Sequence, residues 1–190
     1  MWADDKDNTP GIVELYYAKI SDIETLPLPT QNDPTQEVDY ETLVTIDAPI
    51  VMKPWKQFKQ MYLTDYTGKI ESEIQGELDG KSFMNKLEFF HPGNSAQILG
   101  FTRAAKNGNF VFIGIDADGK KRLFGTRLRP AKLETAPITT GAAGTDRKGG
   151  TFVFSYTENY PACYFTGNVD LTGTGYGSAP GETDFQTIEA

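Results

Sequence analysis

The 190-residue chain is poor in the side chains that most often carry catalysis or covalent cross-links. It has one cysteine, Cys163, so an intramolecular disulfide is impossible and a disulfide-stapled secreted fold is excluded. Its apolar neighbours in "PACYF" are typical of a core position. The one histidine, His91, lies in a His-Pro-Gly segment, where a capping or loop role is expected. We therefore assign neither residue a catalytic role.

Motifs of enzymes and metal sites are also missing. The sequence has no Gly-x-Ser-x-Gly motif, no Walker loop and no zinc-site spacing. Asp116 and Asp118 in "DADGK" are spaced as at the start of an EF-hand loop, but Gly119 comes too early for that loop. A hairpin turn explains the Asp-Gly pair better. The "GTGYG" near the end lacks the surrounding βαβ unit of a dinucleotide site. We expect no enzyme activity, no cofactor and no metal.

The sequence also lacks an excess of basic residues and long apolar stretches. The formal net charge is −8 and the pI is about 4.7, which disfavours gripping DNA or an anionic membrane through counterion release. No apolar stretch approaches the roughly 18–20 residues of a membrane span. The N-terminus "MWADDKDNTP" lacks the basic start and apolar run of a signal peptide. These features predict a soluble protein made in a cytoplasm.

The residues that are abundant favour short strands and turns. Nineteen glycines, eleven prolines and many Tyr, Phe and Thr residues indicate a β-rich fold rather than a helical bundle. Alternation and turn signals predict strands over 11–20, 41–46, 56–67, 69–79, 81–90, 109–115, 120–128, 131–139, 151–157 and 162–167. We therefore expect an all-β protein with one helix, in which two packed antiparallel sheets form a sandwich or barrel.

One helix is expected over 95–108, where Asn94 or Ser95 can cap the start. Its predicted buried side consists of Ile98, Leu99, Phe101 and Ala105. The expected organisation is a lead-in over 1–10, a β domain over 11–167 and a Gly-rich, acidic extension over 168–190.

A long polar segment interrupts the β domain at 21–40 and contains several prolines. Loops of this length are uncommon in compact domains and usually have a function. The segment is either a surface insertion or an arm that packs on a neighbouring subunit. The candidate arm residues are Ile23, Leu26, Pro27, Leu28 and Pro29.

The stretch "KIESEIQGELDGK" (69–81) places carboxylates along one side of a predicted strand: Glu71, Glu73, Glu77 and Asp79. A metal site would need carboxylates that converge from several elements, whereas these lie roughly 6.5–7 Å apart along one strand. Two interpretations remain: a solvated outer face, or the lining of a channel that a polyanion crosses without binding. Asp79-Gly80 predicts a type I′ hairpin into 81–90, and 56–67 would precede this pair as a third antiparallel strand.

Over about 54–167 the order of features resembles the major tail tube proteins of tailed bacteriophages, of the lineage found in Bacteroidetes phages and prophages. The resemblance is carried by a strand containing Phe58, the hairpin "IESEIQGELDGKSFMNKLEFF", the single helix and "NFVFIGIDADGKKRLFG". Its most specific part is "AGTDRKGGTFVFSYTENYPACYF". Residues 1–53 and the tail after 168 are less typical of that family.

The resemblance implies two packed β-sheets with a flanking helix, assembled into hexameric rings that stack into a hollow tube in the virion tail. One hairpin or sheet from every subunit would line the lumen, where carboxylates would repel DNA phosphates during ejection. The implied partners are further copies of the chain and the tape measure, terminator and tail-tip proteins, with DNA passing through without specific binding. Alternatives are a neck or tail-tip ring, a capsid decoration protein, or a carbohydrate-binding sandwich that uses Trp2, Trp55 and surface tyrosines.

Overall fold

The computed structural model describes residues 9–30 and 39–169, so most of the predicted lead-in and C-terminal extension lies outside the described residues. The described chain has one α-helix, α1 (Ala96–Ala105), and two short 3-10 helices, Ile20–Asp22 and Thr42–Val44. Its strands are β1 (Ile12–Lys19), β2 (Ile23–Thr25), β3 (Thr45–Ile46), β4 (Val51–Met52), β5 (Lys59–Met61), β6 (Lys69–Gln75), β7 (Ser82–Pro92), β8 (Phe110–Asp116), β9 (Lys121–Phe124), β10 (Lys132–Thr135), β11 (Ile138–Thr139), β12 (Gly149–Glu158) and β13 (Tyr164–Phe165).

These strands form three sheets. The first sheet has the order β3-β13-β9-β8-β1-β5 and is antiparallel except for the β13–β3 pair. The second sheet has the order β10-β12-β7-β6, with β11 also paired to β12. A small third sheet joins β2 to β4. The predicted fold class, an all-β sandwich with one helix, is confirmed for the described residues.

A core rich in phenylalanine joins the two large sheets. Strand alternation sends Phe89 of β7 and Phe154 of β12 to the inner face of the second sheet, where both are fully buried. The ring of Phe112, from β8 of the first sheet, lies 4.6 Å from that of Phe154. Helix α1 adds Ile98 and Ala105 to the same cluster. Aromatic pairs of this kind contribute about 0.5–1.5 kcal/mol beyond the burial of their area.

A second core covers the other face of the first sheet. Ile23 is fully buried there, and Leu26 is also buried beside it. The guanidinium of Arg127 fixes this region because its Nη2 donates hydrogen bonds to the carbonyls of Ile23 and Glu24, at 2.9 and 2.6 Å. The expectation that Ile23 and Leu26 pack on a neighbouring subunit is therefore wrong. They are core residues of their own chain.

The other residues of the predicted arm differ in burial. Pro29 is buried and Pro27 half-buried, so they too lie against their own chain. Leu28 is 52% exposed and remains available for a contact with another molecule. Residues 31–38, the second half of the arm, lie outside the described residues.

Several element boundaries differ from the sequence expectation. Strand β5 pairs with β1 and not with β6, so the expected series of three antiparallel strands over 56–90 is wrong. Of the strand predicted over 41–46, only Thr45–Ile46 is strand, because Thr42–Val44 forms a 3-10 helix. Pro137 divides the strand predicted over 131–139 because proline has no N–H for the ladder. In α1, Ser95 caps the start by accepting a hydrogen bond from the backbone N–H of Ile98. Leu99 is 47% exposed, contrary to its predicted burial.

The predicted turn at Asp116–Gly119 is confirmed. The N–H of Gly119 donates to the carbonyl of Asp116 at 2.9 Å, and Gly119 has a φ of +81°. The N–H of Asp116 donates to the carbonyl of Lys120 at 2.8 Å, which closes the β8–β9 hairpin. A turn followed by a left-handed glycine is a common hairpin connection, so the Asp-Gly pair needs no metal to explain it.

The burial of Ile23 generates a stability prediction. Ile23→Ala should lower the free energy of unfolding by about 2–5 kcal/mol, because it leaves a cavity in the second core. Leu28→Ala, at an exposed position of the same segment, should change it by less than about 0.5 kcal/mol. Urea denaturation of both variants measures the difference. Equal, small effects would mean that the segment does not belong to the core of its own chain.

Candidate functional site

The surface most suited to a function is the face of the second sheet that points away from the core. Because Leu87, Phe89, Phe152 and Phe154 point inward, the residues between them point outward. We call this surface the outer face; its members are Lys69, Glu71, Glu73, Met84, Lys86, Glu88, Lys132, Glu134, Val153, Ser155 and Thr157. It holds three lysines and four glutamates, so its formal charge is nearly balanced.

Ion pairs neutralise most of these charges. Lys69 Nζ lies 3.1 Å from Glu71 Oε1 and 3.3 Å from Glu88 Oε2. Hydrogen bonding, first to Glu71 and then to Glu88, raises the pKa of Lys69 above its ordinary value. Lys86 Nζ lies 3.8 Å from Glu134 Oε1. The outer face is therefore a mixed-charge surface rather than an acidic one.

The structure separates the four predicted strand carboxylates into two groups. Glu71 and Glu73 lie on β6 and are exposed, as expected. The strand ends at Gln75, so the placement of Glu77 and Asp79 on the same strand face is wrong. Both residues lie in the turn that leads to β7.

Backbone geometry explains why the strand ends early. Gly76 has a φ of +103°, and a Cβ there would lie 2.6 Å from the carbonyl oxygen of Gly80. The N–H of Gly80 donates to the carbonyl of Glu77, while Asp79 takes a left-handed φ of +65°. Only one of the two central residues of this turn has a positive φ, so the predicted type I′ turn at Asp79-Gly80 is wrong.

A small polar network attaches β6 to the rest of the fold. Ser72 Oγ donates to Asn85 Oδ1 at 2.5 Å, and Ser72 Oγ accepts from the N–H of Ala162 at 3.2 Å. Asn85 is fully buried, and its Nδ2 donates to the carbonyl of Tyr160 at 3.2 Å. A buried amide is costly unless it is hydrogen-bonded, so this network favours one placement of β6. The signal in the sequence was an asparagine between apolar inward positions.

Within residues 9–30 and 39–169, the second sheet has two edges without a partner strand. In the described chain no strand pairs with the outer side of β6, which keeps a regular register over all seven residues. The opposite edge is formed by β10 and β11, where a β-bulge between Leu133 and Thr135 and the break at Pro137 shorten the pairing surface. Just before β10, Ala131 is bridged to Phe110 of β8, so the free part of this edge begins at Lys132. Exposed strand edges carry unpaired N–H and C=O groups, which make them sites of strand addition unless they are blocked.

The other candidate residues do not form a site. His91 lies near the end of β7, and burial lowers the pKa of its imidazole. Cys163 belongs to the second core, so the two lie in different layers of the fold. Trp55 is 53% exposed, while Trp2 lies outside the described residues. Within 9–30 and 39–169 no group of His, Cys, Asp and Glu side chains could hold a metal ion. No helix in this part of the chain is long and apolar enough to cross a membrane.

A polar hollow near the start of β1 is satisfied by its own residues. Arg122 Nε donates to Asp116 Oδ2 at 2.7 Å, and Arg122 Nη2 donates to the hydroxyl of Tyr164 at 2.8 Å. Lys120 Nζ lies 3.1 Å from Asp118 Oδ2. Each charge that lines this part of the hollow has an internal partner, so the hollow offers no unbalanced group to a ligand.

Known proteins provide no neighbour from which a function could be transferred. The chain matches no protein-family model, no curated protein and no solved structure. The outer face and the two open edges of its sheet are therefore the features of the molecule that indicate a function.

The burial of Cys163 generates a reactivity prediction. Burial raises the pKa of its thiol to about 12, so almost no thiolate exists at neutral pH. The folded protein should therefore react with a disulfide reagent such as DTNB at least about a hundredfold more slowly than the denatured protein. Because the chain has one cysteine, the absorbance of the released thiol reports this site alone. Rapid stoichiometric reaction of the folded protein would contradict the buried placement.

Proposed function

We propose that this protein is a structural component of a bacteriophage tail, and that its copies assemble into rings that stack into the tail tube. The observation that carries the proposal is the pair of open edges on the second sheet, which run in opposite directions. The sequence resemblance to tail tube proteins and the two-sheet fold with one flanking helix support the same function.

The direction of the edges determines how copies can join. The path β10-β12-β7-β6 is antiparallel at every step, so β6 and β10 run in opposite directions. Strand β6 of one copy can therefore lie antiparallel beside β10 of the next copy. Such head-to-tail contacts generate a closed ring when the rotation between copies closes, and the resemblance implies six copies. Closure removes every open edge of this sheet.

In such a ring the outer face becomes the wall of the channel. Five of its seven lysines and glutamates already pair within each copy, as in the contacts of Lys69 with Glu71 and Glu88 and of Lys86 with Glu134. A wall of balanced charge offers few free cations to phosphate groups, so DNA passes without the counterion release that drives tight binding. We had expected a row of carboxylates to keep DNA from binding to the channel wall. We now propose that the balance of positive and negative charges on the wall has this effect.

The proposal places the protein in the virion tail after assembly in a bacterial cell. Its partners would be copies of itself, the tape measure protein inside the tube, and the terminator and tail-tip proteins at its ends. Leu28, two residues after Leu26 of the second core, is 52% exposed and is available for contacts outside the channel.

The first test of the proposal is assembly. Purified protein should sediment as a ring-sized species in a concentration-dependent manner, because strand addition buries two otherwise open edges. Negative-stain microscopy of the same samples should show rings with a central channel, and stacks of rings at high concentration. A protein that remains monomeric at every concentration and ionic strength would overturn the proposal.

The charge balance of the wall generates a second test. The double variant Glu71→Lys with Glu88→Lys removes both partners of Lys69 and makes the outer face cationic. Tubes of this variant should retain short duplex DNA in a co-sedimentation assay, with binding that falls steeply as salt rises. Wild-type tubes should retain about tenfold less DNA or none.

The matched control for this test is Glu24→Lys with Glu41→Lys, which makes the same change in charge at exposed positions away from the outer face. Equal DNA retention by the two double variants would show that the outer face does not line the channel.

A further inference from the structure

Two charged residues of the outer face have no ion-pair partner among the described residues of their own copy. They are Glu73 on β6 and Lys132 on β10, whereas Lys69 and Lys86 both lie close to glutamates. The two residues have opposite charges and lie on the two opposite edges of the same sheet. Each edge therefore offers one charge that the described residues of its own copy do not neutralise.

The strand register explains why neither charge is satisfied within one copy. Glu73 lies opposite Met84 of β7, which in turn lies opposite Thr157 of β12. Lys132 lies opposite Ser155 of β12. The neighbours across the sheet are thus uncharged in both cases. A residue of opposite charge can therefore approach Glu73 or Lys132 from outside the sheet, next to the free side of β6 or β10.

We propose that Glu73 of one copy forms an ion pair with Lys132 of the next copy, where β6 adds to the β10 edge. This inference rests on the proposed function, because it requires copies that join head to tail. Its occupant is a second copy of this chain, and the complementary charges at the two edges are the reason for that choice.

The proposed pair also defines the stagger between copies. Within one copy, Lys132 lies in the same cross-sheet row as Glu71, through Lys86 and Ser155. Meeting Glu73 instead requires a shift of two residues, or roughly 6.5–7 Å. A closed sheet needs a stagger of this kind, and an even shift keeps every side chain on its own face.

Charge selects the sense of the shift. A shift of two residues in the opposite sense would place Lys132 beside Lys69, and like charges directly opposite each other destabilise a sheet. Without a shift, Lys132 would meet Glu71, whose carboxylate already contacts Lys69 at 3.1 Å. Glu73 is the exposed carboxylate of β6 without such a contact. The pair therefore favours one register over its neighbours.

Charge reversal tests the pair. Glu73→Lys and Lys132→Glu, each alone, should raise the protein concentration needed for half-maximal ring formation by about fivefold or more at low salt. The double variant with both changes should return it to within about twofold of wild type, because the pair is restored with reversed polarity. Sedimentation velocity measures ring formation, and circular dichroism checks that each variant is folded.

Two controls separate the register from general electrostatics. The combination of Glu71→Lys with Lys132→Glu should fail to restore assembly, because Glu71 is one row away in the proposed stagger. Glu24→Lys alters the charge by the same amount away from the outer face and should leave assembly unchanged. Equal rescue by the Glu71 combination would overturn the proposed register.

Cross-linking gives a second readout that does not depend on charge. Glu73→Cys with Lys132→Cys, oxidised under mild conditions, should give a ladder of linked copies on a non-reducing gel. Glu71→Cys with Lys132→Cys should give several-fold less, and buried Cys163 should not interfere. If the wild-type protein forms rings, but the charge reversals do not change ring formation and the cysteine pairs cross-link equally, the ion pair is overturned and the proposed function is not. A wild-type protein that forms no rings would overturn both the pair and the proposed function.

Discussion

The packing of phenylalanine rings between the two large sheets is the constraint on which the other surfaces depend. Phe89 and Phe154 are fully buried, and the ring of Phe154 packs against that of Phe112 from the first sheet. A slip of one residue in β7 or β12 would move these rings to solvent, so burial fixes the register of the second sheet. The same register determines which residues face outward. The composition of the outer face is thus a consequence of the core.

Stable placement of β6 makes its open edge a defined surface. An edge strand held only by its neighbour could fray, but β6 is also tied through Ser72 to buried Asn85 and to the backbone of Ala162. A buried polar network of this kind favours a single arrangement because an unmade hydrogen bond there is costly. The edge therefore presents a regular row of backbone groups, and strand addition would need little reordering of the free protein.

Local pattern predicted the fold class, the helix cap at Ser95 and the turn at Gly119, because neighbouring residues decide each of these. Local pattern gave wrong predictions where residues distant in the sequence determine the structure. Alternation continues through Glu77, but the left-handed Gly76 ends the strand before it. Arg127, 104 positions away in the sequence, holds Ile23 in the core, and no local pattern contains that contact. The two edges and their unpaired charges require the sheet order, which only the folded chain provides.

Net charge and surface charge are separate properties in this protein. The chain carries a formal charge of −8, yet the outer face combines three lysines with four glutamates in adjacent rows. Ion pairs along the surface need only local neighbours, so a sheet can carry a balanced face whatever the charge of the rest of the chain. At an ionic strength near physiological, fields of charges elsewhere fade within about 8 Å. The electrostatic field that acts on a polyanion close to this face therefore comes from the charged residues of the second sheet. The net charge of the whole protein contributes little to it.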